Sequence, residues 1–124
     1  MKETDLYEQI AQYLNLRYPH VIYHFDLSGM WTPSHQARNL YGRLNSRAFP
    51  DLVIYQPHGA YAGLAIEIKK EGTVLYKKDG TLRASEHLKE QEAMLQRLRE
   101  AGYFADFGIG FNQVRSIIDN YLKS

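Results

Sequence analysis

The sequence contains no cysteine. This absence excludes disulfide bonds, thiolate zinc sites and cysteine nucleophiles, and it fits a reducing compartment. The chain also lacks any apolar stretch close to the roughly 20 residues that a membrane-spanning helix needs. Its first five residues, MKETD, are polar and acidic and do not resemble a secretory signal. We therefore expect a cytoplasmic protein that does not associate with a membrane.

A strong net charge of either sign is absent as well. The chain has 15 lysines and arginines against 14 aspartates and glutamates, a net charge of +1, so no overall basic field favours nucleic acid. Any contact with a polyanion must come from local basic clusters. The length of 124 residues and the hydrophobic fraction of 44% predict a single domain spanning 1–124 with one core.

The hydrophobic pattern predicts an alternation of helices and strands. Helical periodicity indicates helices at 4–17, 85–101 and 112–122, and the polar segment 26–48 has room for a short helix at 34–44. Apolar runs bounded by turn residues indicate strands at 21–25, 52–55, 61–70 and 103–109. A smaller hairpin is predicted at 73–83, turning at Asp79-Gly80. This order predicts an α/β fold with a mixed central sheet flanked by helices.

Charged residues accompany two of the predicted strands. Pro50 and Asp51 directly precede the strand at 52–55, and Glu67-Ile68-Lys69 lies near the end of the strand at 61–70. Side chains alternate along a strand, so Glu67 and Lys69 share one face. If the two strands form a hairpin, the start of one lies opposite the end of the other, which places Asp51 near Glu67. Two carboxylates and a lysine are the groups needed to hold a divalent metal and activate a water.

The same alternation has a simpler interpretation. In an amphipathic strand, Ile66 and Ile68 would face the core while Glu67 and Lys69 face water. A second polar pair, His24 and Asp26, also has two interpretations. It is either a metal candidate beside Asp51 or an ordinary pair at a strand end.

Two predicted helices direct polar groups toward the same sheet. In the helix at 85–101, Gln91 falls in the apolar stripe of Leu88, Leu95 and Leu98, where an amide needs hydrogen-bond partners. It is either a satisfied core amide or a group aimed at an active site. In the first helix, Glu3 lies near the inward face if the helix extends back to that residue.

These residues resemble a known family. Pro50-Asp51 followed by Glu67-Ile68-Lys69 looks like the PD-(D/E)XK nuclease signature, and the longer words AFPDL at 48–52 and GLAIEIKK at 63–70 are similar to its VRR-NUC branch. Gln91 and the later Gly102-Tyr103 extend the resemblance over most of the chain. It implies a restriction-endonuclease-like core, with the hairpin near 73–83 as an insertion. It also implies a stand-alone protein in bacterial or phage-infected cytoplasm.

The resemblance also implies roles for individual residues. Asp51 and Glu67 would bind Mg²⁺ or Mn²⁺ together with the backbone carbonyl of Ile68, and Glu3 would match a further metal-binding glutamate. Lys69 would be the catalytic lysine and Gln91 its active-site partner, so the catalytic set is Asp51, Glu67, Lys69 and Gln91. Oxygen donors and the lack of cysteine favour these two ions over zinc.

Contact with DNA would come from local basic residues, because these neutralise phosphates. The candidates lie before Pro50 and after the catalytic strand: Arg38, Arg43, Arg47, Lys70, Lys77 and Lys78. The same residues are also compatible with an ordinary solvated surface.

The expected function is a metal-dependent DNA endonuclease. The resemblance implies selectivity for branched DNA such as Holliday junctions, and two symmetric cuts in a junction imply a homodimer. The alternatives are a sequence-specific restriction-type nuclease and a catalytically silent DNA-binding module on the same fold.

Overall fold

The structure is a computed structural model that describes residues 3–27 and 34–123, apart from the side chain of Glu3. The described residues form four helices and four strands. The helices are α1 (Glu3–Arg17), α2 (His35–Leu44), α3 (Glu86–Glu100) and α4 (Gly110–Lys123). The strands are β1 (Tyr23–Phe25), β2 (Leu52–Ile54), β3 (Leu64–Lys69) and β4 (Phe104–Ile109).

The strands form one mixed sheet, as the sequence predicts, and their order is β1-β2-β3-β4. β2 is antiparallel to both β1 and β3, and Leu52 pairs with Ile66. β3 and β4 are parallel, with Glu67 opposite Phe107. A parallel pair needs a crossover connection, and α3 supplies it.

The two faces of the sheet pack against different helices. Even-numbered residues of β2 and β3, such as Leu52 and Ile66, belong to a core shared with α1 and α4. Odd-numbered residues, such as Val53 and Ala65, belong to a second core shared with Leu95 of α3. Glu67 and Lys69 continue the odd-numbered row, so they lie on the α3 face of the sheet.

Capping residues fix the ends of α3. The side-chain oxygen of Ser85 accepts the N–H of Leu88 at 3.3 Å, which satisfies one of the N–H groups that a helix start leaves unpaired. Gly102 has φ of +97°, a conformation that glycine adopts without steric cost and that ends the helix. Both ends agree with the sequence prediction.

Two connections in the chain reverse through isolated bridges. Between β2 and β3 the bridge joins His58 and Tyr61. The 73–83 segment does turn at Asp79-Gly80, but one isolated bridge between Tyr76 and Leu82 replaces the expected strand pair. No helix among the described residues has the length and apolar character required to traverse a bilayer.

Candidate active site

A cleft of about 380 Å³ lies where β2 begins and β3 ends. Antiparallel pairing brings these two strand ends together, and α1, α2, α3 and the segment after α2 complete the walls. The lining residues are Tyr7, Asp26, Tyr41, Gly42, Asn45, Ser46, Arg47, Ala48, Phe49, Asp51, Glu67, Ile68, Lys69, His87 and Gln91.

Asp51 is hydrogen-bonded to the end of β3. Its Oδ2 atom accepts the backbone N–H of Ile68 at 2.8 Å. The preceding Pro50 is buried, and Ala48 has φ of +58°, an uncommon conformation for a residue with a side chain. The chain is therefore held in a sharply defined path as it enters β2, with the Asp51 carboxylate beside the Glu67-Ile68-Lys69 tripeptide.

Gln91 connects the two charged residues of β3. Its Oε1 atom accepts a hydrogen bond from Lys69 Nζ at 2.8 Å, and its Nε2 atom donates to Glu67 Oε1 at 2.9 Å. Glu67 and Gln91 are each 5% exposed. Buried polar groups need such partners, so the amide resolves the conflict of placing a carboxylate inside an apolar strand.

The environment of Glu67 strongly disfavours its charge. Burial, followed by the nearby charge of Asp51 and a hydrogen bond with that carboxyl, raises the pKa of Glu67 to about 10, against the opposing effect of Lys69. Asp26 adds a smaller repulsion. Two carboxylates close together with little water between them cannot both ionise easily. The pair is thus a place where a bound cation would be favourable.

The acidic donors in the cleft are few. No group of three or more histidine, aspartate or glutamate side chains that could hold a metal occurs in the described part of the chain. The metal set predicted from the sequence consists here of two carboxylates, from Asp51 and Glu67, and the cleft-lining Ile68 with its backbone carbonyl. The side chain of Glu3, the fourth predicted member, lies outside the described residues.

Asp26 lines the cleft as well. Its Oδ1 atom accepts a hydrogen bond from the Tyr41 hydroxyl at 2.7 Å, which ties α2 to the end of β1. Its backbone N–H donates to the carbonyl of Asp51 at 2.8 Å. His24, the other half of the polar pair, is exposed and is not part of the cleft lining.

One of the six basic residues predicted to contact DNA lines the cleft. Arg47 lines it and forms an exposed ion pair with Glu90 at 3.3 Å. Such surface pairs contribute little to stability and exchange readily for another anion. The remaining five are exposed on α2, directly after β3 or in the 73–83 turn: Arg38, Arg43, Lys70, Lys77 and Lys78.

His87 is a residue of the cleft that was not predicted from the sequence. It lies one turn before Gln91 on α3, and its Nε2 atom is 3.1 Å from Gln91 Nε2. No metal-ligand spacing involves His87, but its i, i+4 relation to Gln91 would have placed both on one helix face.

Comparison with known proteins gives a match among solved structures. A scan of protein-family models and a search of curated proteins both give no match. A solved structure described as a VRR_NUC domain protein is similar with a TM-score of 0.69 and 25% identity. The similarity covers 99% of this chain and 89% of that one, so it spans nearly the full length of both.

Proposed function

Because this chain has the fold of a VRR-NUC domain, we propose that it is a nuclease, and specifically a divalent-metal-dependent endonuclease that hydrolyses phosphodiester bonds in DNA. One observation carries the proposal. The buried Glu67 and the Lys69 ammonium are joined through Gln91 in the same cleft as Asp51. An amphipathic surface strand would leave Glu67 in water, whereas Glu67 is 5% exposed.

The cleft residues fit Mg²⁺ or Mn²⁺. The carboxylates of Asp51 and Glu67 and the carbonyl of Ile68 are hard oxygen donors, which both ions prefer. A positive charge between the carboxylates would offset the repulsion that raises the pKa of Glu67. A divalent cation held there would supply charge neutralisation at the phosphate and acidify a water.

The chain's own residues contribute position and charge. Gln91 holds the Lys69 ammonium at 2.8 Å, so the positive charge is presented beside the carboxylates and not left on a mobile stem. From there Lys69 would orient the attacking water or stabilise negative charge on the phosphate. The Asp51 contact to Ile68 keeps β2 in register with this group.

DNA would contact the exposed basic residues. Arg47 lies at the cleft itself, and α2, which lines the cleft with Tyr41 and Gly42, also carries Arg38 and Arg43. Lys70 follows the catalytic strand, and Lys77-Lys78 lies at the tip of the 73–83 turn. Neutralising phosphates in this way makes binding strongly dependent on salt, which a titration of binding against salt concentration would measure.

We further propose that branched DNA is the preferred substrate and that two copies act together. One cleft per chain cuts one strand, whereas a four-way junction needs two symmetric cuts. Cleavage of labelled duplex, flap, splayed and four-way DNA tests the preference. Equal cleavage of plain duplex at a fixed sequence would favour a restriction-type enzyme instead. Sedimentation that detects only monomers with junction DNA present would contradict the dimer.

The decisive experiment compares wild type with Lys69→Ala in Mg²⁺ or Mn²⁺. We expect metal-dependent nicking by the wild type, a loss of roughly 100-fold or more in the variant, and retained DNA binding in both. Lys89→Ala is the matched control, because Lys89 is an exposed lysine of α3 outside the cleft. Wild-type protein that binds DNA but never cleaves it would identify a silent binding module.

A further inference from the structure

His87 contributes a contact to the site that the proposed catalytic set does not include. It lies four residues before Gln91 on α3, and both side chains line the cleft. The Nε2 atoms of the two side chains are 3.1 Å apart. Two nitrogen atoms at this distance form a hydrogen bond only if one of them donates and the other accepts.

The other partners of Gln91 decide which nitrogen donates. The Lys69 ammonium has donors alone, so it must bond to the amide oxygen of Gln91, at 2.8 Å. The amide nitrogen then faces Glu67 Oε1 at 2.9 Å and His87 Nε2 at 3.1 Å, with one N–H for each. His87 Nε2 is therefore the acceptor, and the ring hydrogen lies on Nδ1.

We infer that His87 is a positioning residue of the nuclease centre, acting through Gln91. The inference deepens the proposed function and rests on it. With His87 present, the amide oxygen and both amide N–H groups of Gln91 are engaged, and the amide has a single favourable orientation. Without His87, one N–H turns to solvent and the hold on Lys69 and Glu67 loosens. Small displacements of reacting groups are costly to a rate.

Kinetics separate this role from a purely structural one. We expect His87→Ala to lower kcat roughly five- to tenfold, the effect of one lost hydrogen bond, with KM unchanged. His87→Gln should restore kcat to within about twofold, because its amide oxygen can accept where Nε2 does. His20→Ala is the histidine control, since His20 is exposed and outside the cleft lining.

Two kinetic results would overturn the inference. One is a wild-type kcat in His87→Ala, and the other is an equal loss in His87→Ala and His87→Gln. Both presuppose that the wild type cleaves DNA. A wild type without cleavage rejects the proposed function itself, so the two failures are distinguishable.

A second measurement does not depend on activity. A two-bond ¹H–¹⁵N spectrum of the metal-free protein at mildly alkaline pH reports which ring nitrogen of His87 carries the hydrogen. We expect the hydrogen on Nδ1, and Gln91→Leu should remove this preference because the apolar side chain donates nothing. A hydrogen on Nε2 in the wild type would overturn the inference.

Discussion

The Asp51 carboxylate accepts the backbone N–H of Ile68 at 2.8 Å. This bond makes Asp51 part of the scaffold as well as a candidate metal ligand. One carboxylate oxygen fixes the beginning of β2 against the end of β3, and the charge of the group faces Glu67. The two roles depend on different properties of the side chain, so substitutions can separate them.

Asp51→Asn should keep the scaffold role and lose the chemical one. The asparagine oxygen can still accept the Ile68 N–H, so we expect a change in unfolding free energy below about 1 kcal/mol. The lost negative charge should weaken Mn²⁺ binding and lower the cleavage rate by roughly 100-fold or more. Calorimetry with Mn²⁺ and single-turnover cleavage measure the two effects.

Asp51→Ala serves as the contrasting variant. It removes the acceptor and leaves the Ile68 N–H unsatisfied, which costs about 1–3 kcal/mol. Cleavage by Asp51→Asn at the wild-type rate would show that the charge of Asp51 is dispensable.

Glu67→Gln should stabilise the metal-free protein at neutral and alkaline pH. Glutamate in the unfolded chain ionises near pH 4.5, whereas the pKa of Glu67 in the fold is about 10. Its contribution to stability is therefore complete below about pH 4.5 and is lost progressively as the pH rises toward 10. Glutamine has no such dependence, so the variant should gain about 1–2 kcal/mol at pH 8.

Thermal unfolding with a chelator, across this pH range, measures the difference between wild type and Glu67→Gln. Glu8→Gln is the control, because Glu8 is exposed on α1. Added Mg²⁺ should reduce the difference by stabilising the wild type alone. A Glu67→Gln variant less stable than wild type at pH 8 in chelator would contradict the prediction.

Local sequence patterns predict which residues share a strand face or a helix stripe. Alternation predicts that Glu67 and Lys69 share a face, and helical periodicity predicts that Gln91 points inward. Neither pattern states which helix covers which face of the sheet. That pairing depends on the crossover between β3 and β4, and only the fold shows that Gln91 meets both charged residues.

Features that depend on three-dimensional contacts could not be predicted from the sequence. The positive φ of Ala48 occurs at a residue type that rarely adopts it, so no turn signal marks it. The cleft position of His87 depends on α3 beginning a turn before Gln91. The 73–83 turn was predictable from Asp79-Gly80, but its single bridge was not, because strand length depends on packing.

Asp119→Asn should destabilise the contact between α1 and α4. Asp119 Oδ1 accepts the hydroxyls of Tyr13 at 2.6 Å and Tyr18 at 2.5 Å. Burial alone would raise the pKa of Asp119, but these hydrogen bonds and the positive charges of Lys123 and Arg115 together outweigh burial and lower it. Its stabilising effect is therefore present above the pKa of an unfolded aspartate and is lost as the pH falls through the lowered value.

We expect Asp119→Asn to lose about 1–3 kcal/mol at neutral pH, and the loss should shrink in acid. Chemical denaturation at several pH values measures it, with Asp5→Asn as the control because Asp5 is exposed. A loss that stays constant from neutral to acidic pH would mean that the charge of Asp119 does not contribute.

Two glycine-to-alanine substitutions should change stability in opposite directions. A Cβ atom on Gly108 of β4 would lie 2.7 Å from Val114 Cγ2 and 3.1 Å from Ile66 Cγ2, and both neighbours are fully buried. Overpacking of this kind costs about 1–3 kcal/mol.

A Cβ atom on Gly42 of α2 would have nothing within 4 Å, and alanine is more stable than glycine in a helix interior by about 0.5–1 kcal/mol. Denaturant unfolding of both variants measures the contrast, and a stable Gly108→Ala protein would show that α4 can move away from the sheet.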